Sequence, residues 1–264
     1  MLVVIEGTDG SGKATQTTLL CDKLRASGYA VDTMAFPQYG KSHGAEMVSK
    51  YLAGELGDTS PYAASMFYAL DRAEHRAMLM TKLMANDVVI CDRYVSSNLA
   101  HQTARVSEYE RGDLTRFIEW LEYDFHKMPR PQMTILLRTT SEVSAKNRQA
   151  RETTDIHEND VNHQTTVLQR YVDLAETQGW SIVNTVTGGV QRTPDGIAAE
   201  IFQAVIRQKM MLGAVQRGFA MEDLASVIFG DLMHTGDVGR RELCVVAARR
   251  AVDFLSKAWD SSVQ

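Results

Sequence analysis

The stretch LVVIEGTDGSGK, residues 2–13, joins a short apolar run to a glycine-rich turn. Leu2–Ile5 is rich in branched side chains and bounded by that turn, so it reads as a buried strand. Residues 13–27 follow with helical spacing, and Gly28 marks the helix end. A strand, then Gly7-x-x-x-x-Gly12-Lys13, then a helix is the context in which this spacing reads as a phosphate-binding loop. Gly7, Gly10 and Gly12 let the backbone wrap close to an anion. The N–H groups of Ser11, Lys13, Ala14 and Thr15 point inward, at the positive end of the helix that follows. Lys13 has the length to reach β- and γ-phosphates. One position departs from the pattern. The hydroxyl residue that usually follows the lysine and binds Mg²⁺ is Ala14 here, with Thr15 one place later. A methyl group cannot coordinate a cation, so Thr15, a water or carboxylates such as Asp9 must serve, and magnesium tolerates water-rich coordination.

Working outward, short apolar runs alternate with helical stretches. Ala30–Ala35, Asp87–Cys91, Met133–Leu137 and Trp180–Val186 read as further strands. Residues 44–55, 62–86, 110–127, 141–148, 159–178 and 195–210 read as helices, with Pro129 and Pro131 closing the third. This alternation predicts an α/β fold, a five-stranded parallel sheet with helices on both faces. The remaining 210–264 segment carries apolar residues at helical spacing (Leu243, Ala247, Ala251, Phe254, Ala258) and reads as a helical extension, with helices near 219–232 and 239–258.

The chain has 264 residues, 44% hydrophobic and 23% charged, with a net charge of −5. That balance does not favour broad attraction to nucleic acid, so phosphate affinity must be built locally. Three scattered cysteines without zinc spacing suit a reducing, cytoplasmic setting. The opening residues lack the basic start of a signal peptide, and no apolar run approaches the roughly 20 residues of a membrane helix.

The third strand runs into Asp92-Arg93-Tyr94 and then VSSNLAHQ. Charges at the C-terminal end of a parallel strand lie on the edge where α/β sheets bind ligands. Four segments in order, EGTDGSGK at 6–13, FPQYG at 36–40, FYALDR at 67–72 and DRYVSSNLAHQ at 92–102, make the chain resemble the thymidylate kinases, P-loop nucleoside monophosphate kinases, over about residues 1–205. The resemblance implies ATP as phosphate donor, Mg²⁺, a pyrimidine monophosphate acceptor and a homodimer formed by helices. It implies that Asp9 sits near the acceptor phosphate and the metal, and that Phe36 and Tyr39 line the acceptor site. Tyr68 would stack on the pyrimidine, Arg72 and Asn98 would contact the base, and Arg93 would hold the acceptor phosphate with Asp92 orienting it or the metal waters. Each has a bland counterpart: Phe36, Tyr39 and Tyr68 as packing, and Asp71–Arg72 as a solvated helix face.

Residues 146–158, KNRQARETTDIHE, occupy the place of the family's mobile lid. In that family the catalytic arginine comes from the phosphate loop or from the lid; this loop has none, so the resemblance implies Arg148 or Arg151 of the lid, where closure would bring a cation onto the transferring phosphate. Asp155 and Glu158 match acidic lid positions near metal and sugar. The resemblance places His101 where the family usually has a bulky Tyr or Phe beside the deoxyribose 2′ carbon, and His157 where some relatives have Tyr. The reading at this point is a dTMP kinase. A kinase for another or modified pyrimidine monophosphate and a non-catalytic nucleotide-binding protein remain the alternatives, with the domain at 1–209.

Overall fold

The structure, a computed structural model, describes residues 1–149 and 161–216. It divides into two units, Met1–Ile201 and Phe202–Gln264. In the first, five strands pair in parallel: β1 (Leu2–Glu6), β2 (Val31–Ala35), β3 (Val88–Asp92), β4 (Met133–Arg138) and β5 (Ser181–Asn184). Their order across the sheet is β2-β3-β1-β4-β5. β1 is central, pairing Val4 with Cys91 on one side and with Thr134 on the other. All five of its residues are buried, as a strand covered on both faces requires.

The helices are α1 (Lys13–Ala26), α2 (His43–Leu52), α3 (Pro61–Glu74), α4 (Arg76–Ala85), α5 (Val95–Thr103), α6 (Glu108–Glu119), α7 (Ser141–Gln149), α8 (Val161–Gln178) and α9 (Pro194–Gln216). Local chemistry starts several of them. Ser42 Oγ accepts the Ala45 N–H at the head of α2. Ser60 caps α3 with Pro61 in its first turn, and Ser107 with Glu110 forms a capping box on α6.

Three expectations shift. The helix expected over 62–86 breaks at His75, because the His75 ring bonds the Asp71 carbonyl at 2.9 Å and its own N–H turns back to Arg72 O at 3.1 Å. The helix expected over 110–127 widens into a π-helical segment, Trp120–Phe125. The strand expected over Trp180–Val186 is shorter, and a two-strand hairpin of β6 (Val186–Thr187) and β7 (Val190–Gln191) follows it.

One face of the sheet buries Leu2, Val4, Val89 and Cys91 against Leu79, Leu99, Leu114 and Ile118. A second cluster joins Leu136 to Ala100, Val167, Tyr171 and Ala175. Each aliphatic side chain so buried contributes about 1.5–3 kcal/mol. The packing fixes the C-terminal ends of β1, β3 and β2 side by side. Among the described residues no helix is long and apolar enough to cross a membrane. The tail beyond residue 216, including both helices expected there, lies outside the described residues.

Candidate active site

The glycine-rich turn lies between β1 and α1. Gly12 is left-handed (φ 94°) with open space where a Cβ would stand, and Gly10 (φ 82°) is hemmed in, since a Cβ there would meet Ser144 O at 2.4 Å. Asn147 Nδ2 donates to Gly10 O at 2.7 Å, so α7 braces the loop. α1 has no side-chain cap and no acidic residue in its first turn, which leaves its N–H groups for an anion. Lys13 Nζ donates to Gly7 O (2.9 Å) and Thr8 O (3.0 Å) and lies 3.8 Å from Asp9. Burial and Arg93 pull its ammonium down to about 8, against the opposing pull of Asp9. Ala14 and Thr15 are both exposed.

At the end of β3 the chain enters Asp92-Arg93-Tyr94. Arg93 has φ 65°, an αL backbone that costs a non-glycine residue about 1–3 kcal/mol. Glu6 over-determines it. This fully buried carboxylate accepts Tyr94 N–H (2.9 Å), Ser96 Oγ (2.8 Å), Ser97 N–H (3.1 Å), Ser97 Oγ (2.6 Å) and Tyr171 OH (3.1 Å). The clamp aims the Arg93 guanidinium at Asp9, which it pairs, with Ser97 Oγ (3.4 Å) and His101 Nε2 (3.5 Å) alongside. Burial alone raises the Asp9 carboxyl, but Arg93 and Lys13 hold it well below the usual carboxylate range. Burial and Glu6 push the Tyr171 phenol up, so it stays a donor.

A cavity of about 350 Å³ opens here. Its wall takes in Asp9, Gly10, Gly12, Lys13, Ala14, Asp92 and Arg93 together with Phe36, Tyr39, Tyr68, Arg72, Asn98 and His101. Arg72 and Asp71 are buried at 2% and 0% exposure, so the solvated-face reading of that pair fails. Asp71 accepts Gln38 N–H (3.0 Å) and Ser42 Oγ (2.6 Å), which anchors the Phe36–Tyr39 loop to α3. Phe36 is buried and leans on Tyr94, whereas Tyr39 is half exposed over the mouth. Tyr68 stands edge-on to Tyr51, and His101 edge-on to Tyr171.

Gly7 and Ser11 belong to the loop but do not wall the cavity, and neither does Thr15. The side chain of Arg148, together with Arg151, Asp155, His157 and Glu158, lies outside the described residues. Sequence reasoning passed over Glu6, Ser97, Gln102, Glu122 and Tyr171. Glu6 and Glu122 are fully buried, and Gln102 adds to the cavity wall. Glu6 stands directly before the loop, and its position at a strand end was the one available signal. Nothing local marked Glu122.

A glycine loop at a helix N-terminus, a buried lysine and an arginine facing it across one cleft, all on a parallel sheet, define a P-loop nucleotide kinase. The family model for thymidylate kinase matches residues 5–197. A thymidylate kinase of Mycobacterium tuberculosis (strain CDC 1551 / Oshkosh) is 36% identical over 188 residues, 68% of this chain and 87% of that one. A probable thymidylate kinase of Pyrococcus abyssi is 34% identical over 178 residues, 66% and 82% of the two chains. A solved thymidylate kinase from Candida albicans shares the fold, with TM-score 0.63 at 24% identity over 79% of this chain and 92% of that one. The chain belongs to the thymidylate kinase family, whose members are nucleoside monophosphate kinases.

Proposed function

We propose that this protein transfers the γ-phosphate of ATP to dTMP, yielding dTDP and ADP. The observation that carries the reading is one cleft whose wall takes in Lys13 and the glycine loop, Arg93 and Asp9, and also Arg72, Asn98 and Tyr68. An acceptor phosphate oxygen attacks the γ-phosphorus, the bond to the β-bridging oxygen breaks, and ADP leaves with that electron pair. The protein's task is to hold two anions in line and screen their repulsion. Lys13 and the loop N–H groups grip the donor. Arg93, freed from Asp9, grips the acceptor phosphate with its planar fork. Tyr68 gives the base an aromatic face. The catalytic arginine is proposed to be Arg148 or Arg151.

Mg²⁺ fits the donor set. Asp9 and Asp92 both wall the phosphate end, and hard carboxylate oxygens with waters and phosphate suit this ion without a third protein ligand. Ala14 gives no oxygen, and among the described residues no group of three acidic, His or Cys ligands forms a closed cage. Asp9 and Asp92 would hold the ion, which would supply positive charge against the donor phosphates.

A homodimer is proposed through α3 and the π segment. Tyr62, Met66 and Leu70 form an exposed stripe on α3, and the exposed Trp120 and Phe125 lie in the π segment. Tyr62 meets Phe117 of α6 at 5.2 Å and Phe117 meets Trp120 at 6.4 Å, so the two surfaces are continuous. Free, buried Cys21 and Cys91 suit a cytoplasmic setting.

A second reading, a kinase for a different pyrimidine monophosphate, is favoured by one observation, His101 in the acceptor wall. An ADP-release assay with Mg²⁺-ATP against dTMP, dUMP, UMP, dCMP and dGMP decides between them. Turnover concentrated on dTMP supports the proposal. Turnover concentrated on another monophosphate transfers it to the second reading, and ATP binding without turnover on any acceptor defeats both.

A further inference from the structure

Behind the base end of the cavity stands a carboxylate that does not wall it. Glu122 is fully buried in the π-helical segment Trp120–Phe125, a wide turn of the kind that re-aims side chains at functional sites. Its two oxygens accept Arg72 Nε at 3.1 and 3.0 Å and are paired with Arg72 Nη2. Oε1 also accepts Asn98 Nδ2 at 3.2 Å. The same Asn98 nitrogen donates to Ser65 O at 3.0 Å.

Both partners of Asn98 Nδ2 are acceptors. Reversing the amide would set Oδ1 against a carbonyl and a carboxylate oxygen, so the orientation is determined by its neighbours. Oδ1 is left over as a buried acceptor with no partner among the described residues, on a side chain that walls the cavity. Arg72 is constrained in the complementary sense. Nε and Nη2 are engaged by Glu122, and Nη1 makes only a long contact, 3.5 Å, to Tyr94 O. Its donors remain for a ligand.

We infer that Glu122 is the positioning residue that selects the acceptor's base class, by holding Asn98 as an acceptor and Arg72 as a donor side by side. A 4-oxo pyrimidine presents N3–H next to a C4 carbonyl and satisfies both. A 4-amino pyrimidine presents a bare N3 next to an amine and opposes both. A site whose buried polar groups are left unpaired by the wrong ligand discriminates strongly. A neutral amide at position 122 brings its own donor to Asn98 and lets that side chain reverse. The inference rests on the cavity being the acceptor site of the proposed kinase.

The test is steady-state kinetics on the full chain with dTMP and dCMP, for wild type, Glu122→Gln and Glu122→Asp. Wild-type silence on both acceptors removes the proposed function and this inference with it, whereas wild-type turnover of dTMP leaves Glu122 alone in question. In Glu122→Gln the ratio of kcat/KM for dTMP over dCMP falls roughly 10- to 100-fold, the dTMP loss residing in KM. Glu122→Asp keeps the charge and keeps the ratio within about threefold of wild type. A folded Glu122→Gln with the wild-type ratio overturns the inference. If that variant does not fold, N3-methyl-dTMP with wild type decides: its use falls roughly 100-fold if Asn98 presents an acceptor. Equal use of dTMP and its N3-methyl derivative overturns the inference as well.

Discussion

Tyr94 donates its backbone N–H to Glu6 Oε1 at 2.9 Å, across 88 positions of sequence. The bond ties the end of β1, where the phosphate loop starts, to the end of β3, where Arg93 sits in an αL backbone. One carboxylate thereby registers the donor end of the cleft against the acceptor end. Glu6→Gln replaces an acceptor oxygen by an NH₂, which opposes the Tyr94 and Ser97 N–H groups on one side or forces the Ser97 and Tyr171 hydroxyls to turn round and accept on the other. It is expected to lower unfolding free energy by about 2 kcal/mol and to raise the acceptor KM more than the ATP KM. Urea unfolding and two-substrate kinetics check both parts.

Lys13 bonds back onto two carbonyls of its own loop, at Gly7 and Thr8. Its proposed role is to leave those carbonyls for phosphate. Lys13→Ala is expected to cut turnover about 1,000-fold. A variant retaining a tenth or more of wild-type turnover in the ADP-release assay removes Lys13 from the chemistry.

The same ammonium gives a pH signature. In the free protein it titrates at about 8, below its ordinary 10.5. Phosphate oxygens favour the charged form, so the ATP complex holds the proton to higher pH. Below about pH 8 both states are protonated and binding takes up no proton. Above it, binding takes up as much as one proton, and ATP affinity falls by up to about tenfold per pH unit until the complex also titrates. For folding the unfolded chain holds the extra proton between 8 and 10.5, so this group makes stability rise with pH across that window. Calorimetry at pH 9 in buffers of different ionisation enthalpy reads the uptake directly; zero uptake there would falsify the assignment.

Arg93 is proposed to exchange its Asp9 partner for the acceptor phosphate. Arg93→Lys keeps a positive charge but loses the fork. The expected result is a loss of about 100-fold in kcat/KM for the monophosphate with ATP affinity nearly unchanged. Equal losses for both ligands would mean that the residue acts on the loop rather than on the acceptor.

His101 walls the cavity beside Ser97 and Tyr171, and its ring is smaller and more polar than a phenol. His101→Tyr fills space in the cavity wall, where the sugar of the proposed acceptor would lie. Preference for dTMP over UMP is expected to rise about 10-fold, with the dTMP rate little changed. An unaltered ratio leaves His101 as a tolerated exchange.

Much of the molecule was legible because its signals are local. The apolar run before Gly7, the glycine spacing and the lysine specify strand, turn and helix within a few residues of one another. Five strands and most helices appear within a few positions of where hydrophobic period and breakers place them. The misplacements have physical causes. A helical pattern over 62–86 carries no mark that the buried His75 ring takes the Asp71 carbonyl and breaks the chain there. Nor does residue spacing over 110–127 announce a π turn, which depends on what Glu122 must reach.

What the sequence determined alone was the set of local elements, the phosphate loop and the family the chain belongs to, since each depends on contiguous residues and their periodicity. The tertiary structure decided the strand order β2-β3-β1-β4-β5, the Glu6 clamp on the Arg93 turn, the lowered Lys13 ammonium and the Arg72–Glu122–Asn98 set. Those features are properties of burial and of partners dozens of residues apart. A carboxylate's role is set by which donors the fold brings to it once water is excluded, and no spacing along the chain records that.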